Sequence, residues 1–462
     1  MTLIKSISGI RGTIGGAQGE NLTPIDAVMY GAAYGTWVKK QNDKKSYRVV
    51  VGRDARLSGN MIQQLVINTL IGLGIDVINL DLSTTPTVEM AVVMEKADGG
   101  IILTASHNPK QWNALKLLNA KGEFLDAVAG QEILDIAQGA NMLFATVDNL
   151  GKVTRNDAYI DLHIDEILAL DLINVKAIKA ANFKVVVDAV NSTGGIAIPL
   201  LLEALGVHPV KLFCTPNGEF PHNPEPLKEH LGDLMHEVVS QGADFGIVVD
   251  PDVDRLAFVD EKGEMFGEEY TLVAVADYVL THRPGNTVSN MSSSRALRDI
   301  TNKHKGSYTA SAVGEVNVVQ MMKDTDAVIG GEGNGGVIYP ELHYGRDSLV
   351  GVALFLSHLA EQKMTVSALR ASYPSYFMSK QKIALTPQID VDAILEKMAD
   401  TYKAEEITTI DGVKIDFESN WVHLRKSNTE PIIRIYTEAV SQIKADELAN
   451  DIISEIKHIV GL

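Results

Sequence analysis

Short apolar runs rich in valine and isoleucine alternate with longer stretches of helical period along most of the chain. That alternation predicts α/β units whose sheet is buried on both faces. Arg48–Gly52, Val77–Leu82 and Gly100–Leu103 read as strands, with a helix over Gly59–Leu73 opened by Ser58 or Asn60 as N-cap. The unit recurs at Lys184–Val187 followed by Gly195–Leu205, at Gly246–Val249, and at Thr287–Met291 followed by a helix over Ser293–Lys305. After Tyr373-Pro374 the texture changes. Gly412–Phe417, Val422–Arg425 and Ile432–Thr437 read as neighbouring strands, and the amphipathic Ile443–Val460 as a closing helix, an α+β pattern suited to a separate small domain.

At 462 residues the chain exceeds what one hydrophobic core fills, so several domains are expected. The longest apolar run, Leu349–Leu356, is far short of the roughly 18 residues of a membrane helix. Lys5, Arg11 and scattered glycines break up any leader-like apolar stretch, and the single cysteine, Cys214, fits a reducing compartment. These features predict a soluble, cytoplasmic protein. A net charge of −18 argues against a general nucleic-acid or membrane-surface binder. It also means that any anionic substrate must be met by arginines and lysines gathered locally.

Three polar clusters follow directly on apolar strands: Thr104–Pro109, Asp250–Arg255 and Gly331–Gly336. Ligands of open α/β sheets bind beyond the carboxyl ends of strands, so three such loops suggest one shared site. Asp250, Asp252 and Asp254 alternate, which in an extended segment would turn all three carboxylates to one side. Such crowding is relieved by a hard cation with oxygen ligands, the alternative being a solvated acidic turn. An EF-hand is excluded by Arg255 at its glycine position and by strand-like flanks. Ser106 is either a nucleophile or phosphate carrier near that cation, or a turn cap; no Gly-x-Ser-x-Gly elbow surrounds it. Gly331–Gly336 matches a dinucleotide fingerprint in form, but Val337-Ile338-Tyr339-Pro340 cannot continue as the required helix. Glu332 and Asn334 could bind sugar hydroxyls, or the segment is a structural turn. Arg425–Pro431, with Arg434 beyond, offers guanidinium, hydroxyl and amide donors suited to a phosphate dianion, or is a charged surface turn.

Together these motifs, in this order from Gly9-Ile10-Arg11-Gly12 to Arg434, resemble the α-D-phosphohexomutase family of phosphoglucomutases, phosphomannomutases and phosphoglucosamine mutases. The resemblance implies three similar mixed α/β domains over 1–155, 156–257 and 258–374 and a smaller C-terminal α+β domain over 375–462, set around a central cleft. It implies Ser106 as the phosphoserine, with Asp250, Asp252 and Asp254 as Mg2+ ligands joined by an oxygen of that phosphoserine. Arg11, Lys116 and Arg255 are placed near the transferring phosphoryl group. Glu332 and Asn334 fall in the sugar loop, and Arg425, Ser427, Asn428 and Thr429, with Arg434, in the distal phosphate site.

The implied reaction moves phosphate between the 6- and 1-positions of a hexose phosphate through a phosphoserine and a hexose bisphosphate, which serves as intermediate and activator. Three aspartates carry about −3, and phosphoserine and substrate phosphate up to roughly −2 each, against one Mg2+. Arg11, Lys116, Arg255, Arg425 and Arg434 are the candidates to balance the rest. Many bacterial members read Gly-Glu-x-Ser-Gly-His in the sugar loop, whereas this chain has Asn334 and Gly336. Glu315 follows Gly314 where a family histidine is frequent, leaving Lys116 or a water for acid–base work. The loop is similar to archaeal-type phosphoglucosamine mutases, which makes glucosamine phosphate the leading substrate, with mannose or glucose phosphate next. A metal-dependent sugar phosphatase and a non-catalytic sugar-phosphate sensor are the readings from other classes. A monomer or homodimer is expected, with no nucleic-acid or membrane partner.

Overall fold

The structure is a computed structural model that describes residues 2–6, 9–139, 141–384, 389–426 and 432–460, the last without its side chain. Four sheets follow one another along the chain. The first has seven strands, in the order Ile4–Ser6, Gly9–Thr13, Trp112–Leu118, Gly99–Leu103, Tyr47–Arg53, Ile75–Leu82 and Val153–Arg155. Its centre is parallel, and Tyr47–Arg53 and Gly99–Leu103 run side by side with their carboxyl ends together. The second sheet orders Leu256–Asp260, Phe245–Val249, Lys184–Asp188 and His208–Leu212; the third, Tyr308–Ser311, Asn286–Asn290, Ala327–Glu332 and Gly336–Ile338. In both, a parallel trio ends in one antiparallel hairpin strand, and that hairpin turn carries a polar loop predicted from sequence.

The fourth sheet is wholly antiparallel: Phe377–Ala384, Ile432–Ala439, Trp421–Lys426, Val413–Asp416 and Glu406–Thr408, packed against the helices Val391–Thr401 and Gln442–Val460. Mixed α/β sheets followed by a small antiparallel one match the expected fold class. No helix among the described residues is long and apolar enough to cross a membrane.

Two predicted details are corrected. The helix expected over Ser293–Lys305 begins at Ala296, because Asn290 Oδ1 holds Ser292 N and Ser293 Oγ in a turn and Ser293 Oγ also accepts from Gly333 N. The helix Gly59–Gly72 takes Ser58 as N-cap, but the Ser58 side chain bonds no backbone of that helix and instead accepts from Asn113 Nδ2 at 2.9 Å.

The second and third sheets share one core. Its centre is the helix Ser348–Gln362, buried all round over Ser348–Ala360 and containing the longest apolar run of the sequence. Phe355 stacks on Phe258 with ring centroids 3.8 Å apart. Asp347 caps this helix, its Oδ1 accepting from Leu349 N at 2.7 Å and Val350 N at 3.3 Å.

The other oxygen of Asp347 ties three units together. His163 Nε2, from the helix Tyr159–Ala169, lies 2.9 Å from Asp347 Oδ2, and His343 Nε2 lies 3.3 Å from it. Behind them stand Thr87 Oγ1, 2.9 Å from His163 Nδ1, and Glu89 Oε2, 3.4 Å from His343 Nδ1, both on the helix Thr85–Met94 of the first unit. Burial alone would lower the His343 pKa, but its bonds to Asp347 and Glu89 outweigh this and raise it to about 10. Burial raises Glu89 to about 8. A histidine raised in this way stabilises the fold fully below its unfolded value near 6.5, and the contribution is lost as pH climbs through about 10. Glu89, also raised, acts in the same direction at lower pH. The thermal midpoint is therefore expected to fall by several degrees between pH 7 and 10, and His343→Gln to flatten that slope in a calorimetric pH series.

Candidate active site

Ser106 sits just past the strand Gly99–Leu103 with φ of 48°, a left-handed conformation that costs a non-glycine residue energy. The surroundings enforce it. Ser106 N donates to Thr104 Oγ1 at 2.9 Å, and the Ser106 carbonyl accepts from Arg56 Nη2. Arg56 is 1 % exposed and anchors the whole loop. Its other bonds run to the carbonyls of Asn108 (2.6 Å), Pro109 (2.7 Å) and Trp112 (3.0 Å) and to Asp54 Oδ2 (2.9 Å), which Thr104 Oγ1 also reaches. Removing it strands the buried Asp54 carboxylate, so Arg56→Ala is expected to cost about 3–5 kcal/mol in a denaturant titration.

The aspartates converge by a different route from the one expected. The segment after Val249 is a tight turn, not extended chain: Val253 N donates to Asp250 O at 3.1 Å, and Val253 holds a φ of 66°. For a β-branched residue that is a strained backbone. The turn places ligating oxygens of Asp250, Asp252 and Asp254 within 4.8 Å of one another, with all three residues 0 % exposed. Three consecutive carbonyls of the loop are held from three directions. Pro251 O accepts from Ser192 Oγ and Thr193 Oγ1, Asp252 O from Thr85 N, and Val253 O from Ser348 N.

Ser106 Oγ donates to Asp250 Oδ2 at 2.7 Å, so two loops 144 residues apart meet. Asp250 Oδ1 accepts from the Asp254 and Arg255 backbone amides. Asp252 Oδ2 accepts from Thr85 Oγ1 at 2.6 Å and Lys116 Nζ at 2.7 Å, and Asp254 Oδ2 from Arg346 Nη2 at 2.7 Å. Asp252 Oδ1 and Asp254 Oδ1, both buried, have no hydrogen-bond partner among the described residues. Burying an unpaired carboxylate oxygen is costly, and a divalent cation with oxygen ligands suits both of these oxygens and the Ser106–Asp250 pair beside them. Electrostatics agree: burial and the charges of Asp252 and Asp254 push Asp250 well above the usual carboxylate range. Lys116 is buried, which would lower it, but Asp252 and Asp254 raise it on balance.

Cations also gather near the serine. Arg11 Nη1 donates to Asn108 Oδ1 at 3.2 Å, and burial and the Arg255 charge lower its pKa. Arg255 Nη1 reaches Glu225 at 3.2 Å, while its Nε has no partner among the described residues. His107, with Nδ1 3.4 Å from Ser106 Oγ, is pushed down to about 2 by burial and by Arg255, so it is neutral. This clustering answers the question posed by the acidic composition, since positive charge is concentrated where an anion would dock.

The third polar loop closes the site. Glu332 ends the strand Ala327–Glu332, its Oε1 accepting from Asn290 Nδ2 at 2.8 Å and Gly314 N at 3.2 Å, its Oε2 from Arg346 Nη1 at 2.9 Å. Asn334 Oδ1 accepts from Gly336 N at 3.2 Å and so shapes the turn. In the fourth sheet Arg425 stands opposite Arg434, and Arg434 opposite Lys382 on the next strand. Like charges directly opposed are unfavourable unless an anion sits among them. Asp411 Oδ2 joins Arg425 Nε, at 3.0 Å, to Val313 N, also at 3.0 Å, which brings this cationic row beside Gly314 and Glu332. Ser427, Asn428 and Thr429 lie outside the described residues.

Sequence reading missed Asp54, Arg56, Thr85, Arg346 and Lys382. The first two were within reach, because Arg53–Arg56 is another polar cluster at the carboxyl end of a parallel strand.

Comparison with known proteins settles the family. Models described as phosphoglucomutase/phosphomannomutase alpha/beta/alpha domains I, II and III match residues 3–142, 161–263 and 267–376, and that of the C-terminal domain matches 381–455. The chain belongs to the phosphoglucomutase/phosphomannomutase family. It is a phosphohexomutase, an enzyme of the isomerase class. A phosphoglucomutase/phosphomannomutase of Thermococcus kodakarensis is 36 % identical over 94 % of this chain and 96 % of its own. A probable phosphoglucosamine mutase of Methanopyrus kandleri is 31 % identical over 98 % and 97 %. Among solved structures, a phosphoglucomutase/phosphomannomutase family protein from Burkholderia thailandensis superposes with a TM-score of 0.84 at 26 % identity, covering 99 % of this mutase and 98 % of that chain.

Proposed function

We propose that this mutase interconverts glucosamine 6-phosphate and glucosamine 1-phosphate through a phosphoserine at position 106. The observation that carries the reading is the 2.7 Å approach of Ser106 Oγ to Asp250 beside two unpaired carboxylate oxygens. Asp250, Asp252 and Asp254, with an oxygen on Ser106, would hold Mg2+, the hard cation that such an all-oxygen set suits. When bound, Mg2+ offsets part of the local negative charge and draws electron density from the phosphoryl group.

The residues of the chain then divide the work. The P–O bond to Ser106 breaks as the free 1-hydroxyl oxygen of the sugar forms a new one; the proton of that hydroxyl passes to water and Ser106 Oγ takes one up, leaving a neutral serine. Arg11, Arg255 and Lys116 neutralise charge that develops on the phosphoryl oxygens. The bisphosphate turns end for end, the Ser106 hydroxyl gives up its proton as it bonds the phosphorus of the 6-phosphate, and the released 6-oxygen is protonated to a hydroxyl. Glu332 and Asn334 orient the sugar. Arg425 and Arg434, with Ser427, Asn428 and Thr429, hold whichever phosphate is not reacting, and that second anchor favours a mutase over a phosphatase.

The names of relatives support an amino sugar: several archaeal ones are called probable phosphoglucosamine mutase. The Thermococcus relative's name favours glucose and mannose phosphates as the second reading. A panel of glucosamine, glucose and mannose 6-phosphates, each with a trace of the matching bisphosphate, tests it. Glucosamine phosphate is expected to lead in kcat/KM by at least about tenfold, corresponding to about 1.4 kcal/mol; equal or better use of mannose phosphate overturns the amino-sugar assignment.

A further inference from the structure

Arg346 joins the metal loop to the sugar loop by its side chain, beside the backbone bond that Leu256 N donates to Gly335 O at 3.0 Å. It lies on the turn before the buried helix Ser348–Gln362, is 8 % exposed, and gives each guanidinium nitrogen to a different acid. Nη2 donates to Asp254 Oδ2 at 2.7 Å, Nη1 to Glu332 Oε2 at 2.9 Å and Nε to Glu315 Oε2 at 2.9 Å. Its own backbone N–H donates to Glu315 Oε1 at 3.2 Å. The planar fork spreads these donors over three fixed nitrogens, whereas an ammonium would have to make all three bonds from a single nitrogen.

Two of the residues that depart from the family pattern, Gly336 and Glu315, make its seat. Gly336 has no positive φ, so the backbone does not require glycine there. Space does, because an added Cβ would overlap Arg346 Cδ and stand 3.0 Å from its Cγ. Glu315, 9 % exposed, is raised by burial, and both its oxygens accept from Arg346. Placing histidine at 336 would close the path of Arg346, and losing Glu315 would remove the group that fixes its Nε.

We propose that Arg346, seated by Gly336 and Glu315, is a positioning residue that presents Asp254 to the divalent cation and Glu332 to the sugar together. This rests on the mutase reading above. By engaging Asp254 Oδ2 it leaves the unpaired Oδ1 as the oxygen that would bind the cation, and by engaging Glu332 Oε2 it fixes the carboxylate as a hydrogen-bond acceptor. One side chain thereby couples cation binding to substrate binding.

The test is Arg346→Lys, read by calorimetric titration of the protein with Mg2+ and by the separate KM and kcat for hexose phosphate. The Mg2+ dissociation constant is expected to rise by about tenfold or more, as for other groups that orient a metal ligand, and KM to rise with it. A variant with wild-type Mg2+ affinity and wild-type KM, altered only in kcat or in thermal midpoint, overturns the proposal. Gly336→Ala guards against misfolding of the first variant, since it keeps Arg346 and merely displaces it. It should move the same two quantities in the same direction, and their constancy in a folded Gly336→Ala protein also overturns the proposal. Mg2+ titration needs no turnover, so absence of mutase activity in the unaltered protein would refute the functional reading without touching this result.

Discussion

Ser106→Ala should lower hexose phosphate turnover by at least about a thousandfold, because in the proposed reaction Ser106 carries the phosphoryl through the exchange. Stability should change little. The side chain contributes its bond to Asp250 and a marginal approach to His107, worth about 1 kcal/mol, and the loop is held by Arg56 through backbone carbonyls that the substitution leaves in place. Intact mass should show one phosphate on a fraction of the native protein and none on the variant. Turnover within tenfold of wild type in a folded Ser106→Ala protein would remove the serine from the reaction.

Stripping divalent cations should have the next largest effect. Asp250, Asp252 and Asp254 are wholly buried, and Lys116 and Arg346 between them pair with only Asp252 and Asp254. Chelation is expected to abolish turnover and added Mg2+ to restore it. The same addition should raise the thermal midpoint by several degrees, since a ligand at 100 times its dissociation constant stabilises the folded state by about 2.7 kcal/mol. A protein that keeps full activity after exhaustive chelation, with a midpoint indifferent to Mg2+, would show that the acidic trio has another purpose.

Much of the architecture was legible because buried parallel strands announce themselves. Val49–Val51, Val185–Val187 and Ile247–Val249 are continuous apolar runs, and each became a central strand with all three residues buried. The short N-terminal strands Ile4–Ser6 and Gly9–Thr13 escaped notice, being glycine-rich or only partly buried, with too few apolar positions to show a period. The site was legible where chemistry is crowded into few residues, as in Asp250–Arg255. It was illegible where one residue acts across units. Thr85 resembles an ordinary residue of a helix start, and Arg346 an incidental charge beside the capping Asp347. Their roles depend on what the fold sets opposite them, at separations of 167 and 92 residues. The convergence of the aspartates was expected from strand pleating, yet Val253 achieves it by a strained turn that valine, by type alone, would not suggest.

The carbonyls of Pro251, Asp252 and Val253 take their hydrogen bonds from Ser192 and Thr193, from Thr85 and from Ser348. No fragment of the polypeptide owns this loop. A piece containing the second sheet alone would carry all three aspartates and still lack the outside braces that keep Val253 in its unfavourable conformation, so it should ignore cations at concentrations the intact enzyme captures. Chemistry thus becomes available only after the last partner has docked, and damage at any seam between units should surface first as a loss of metal.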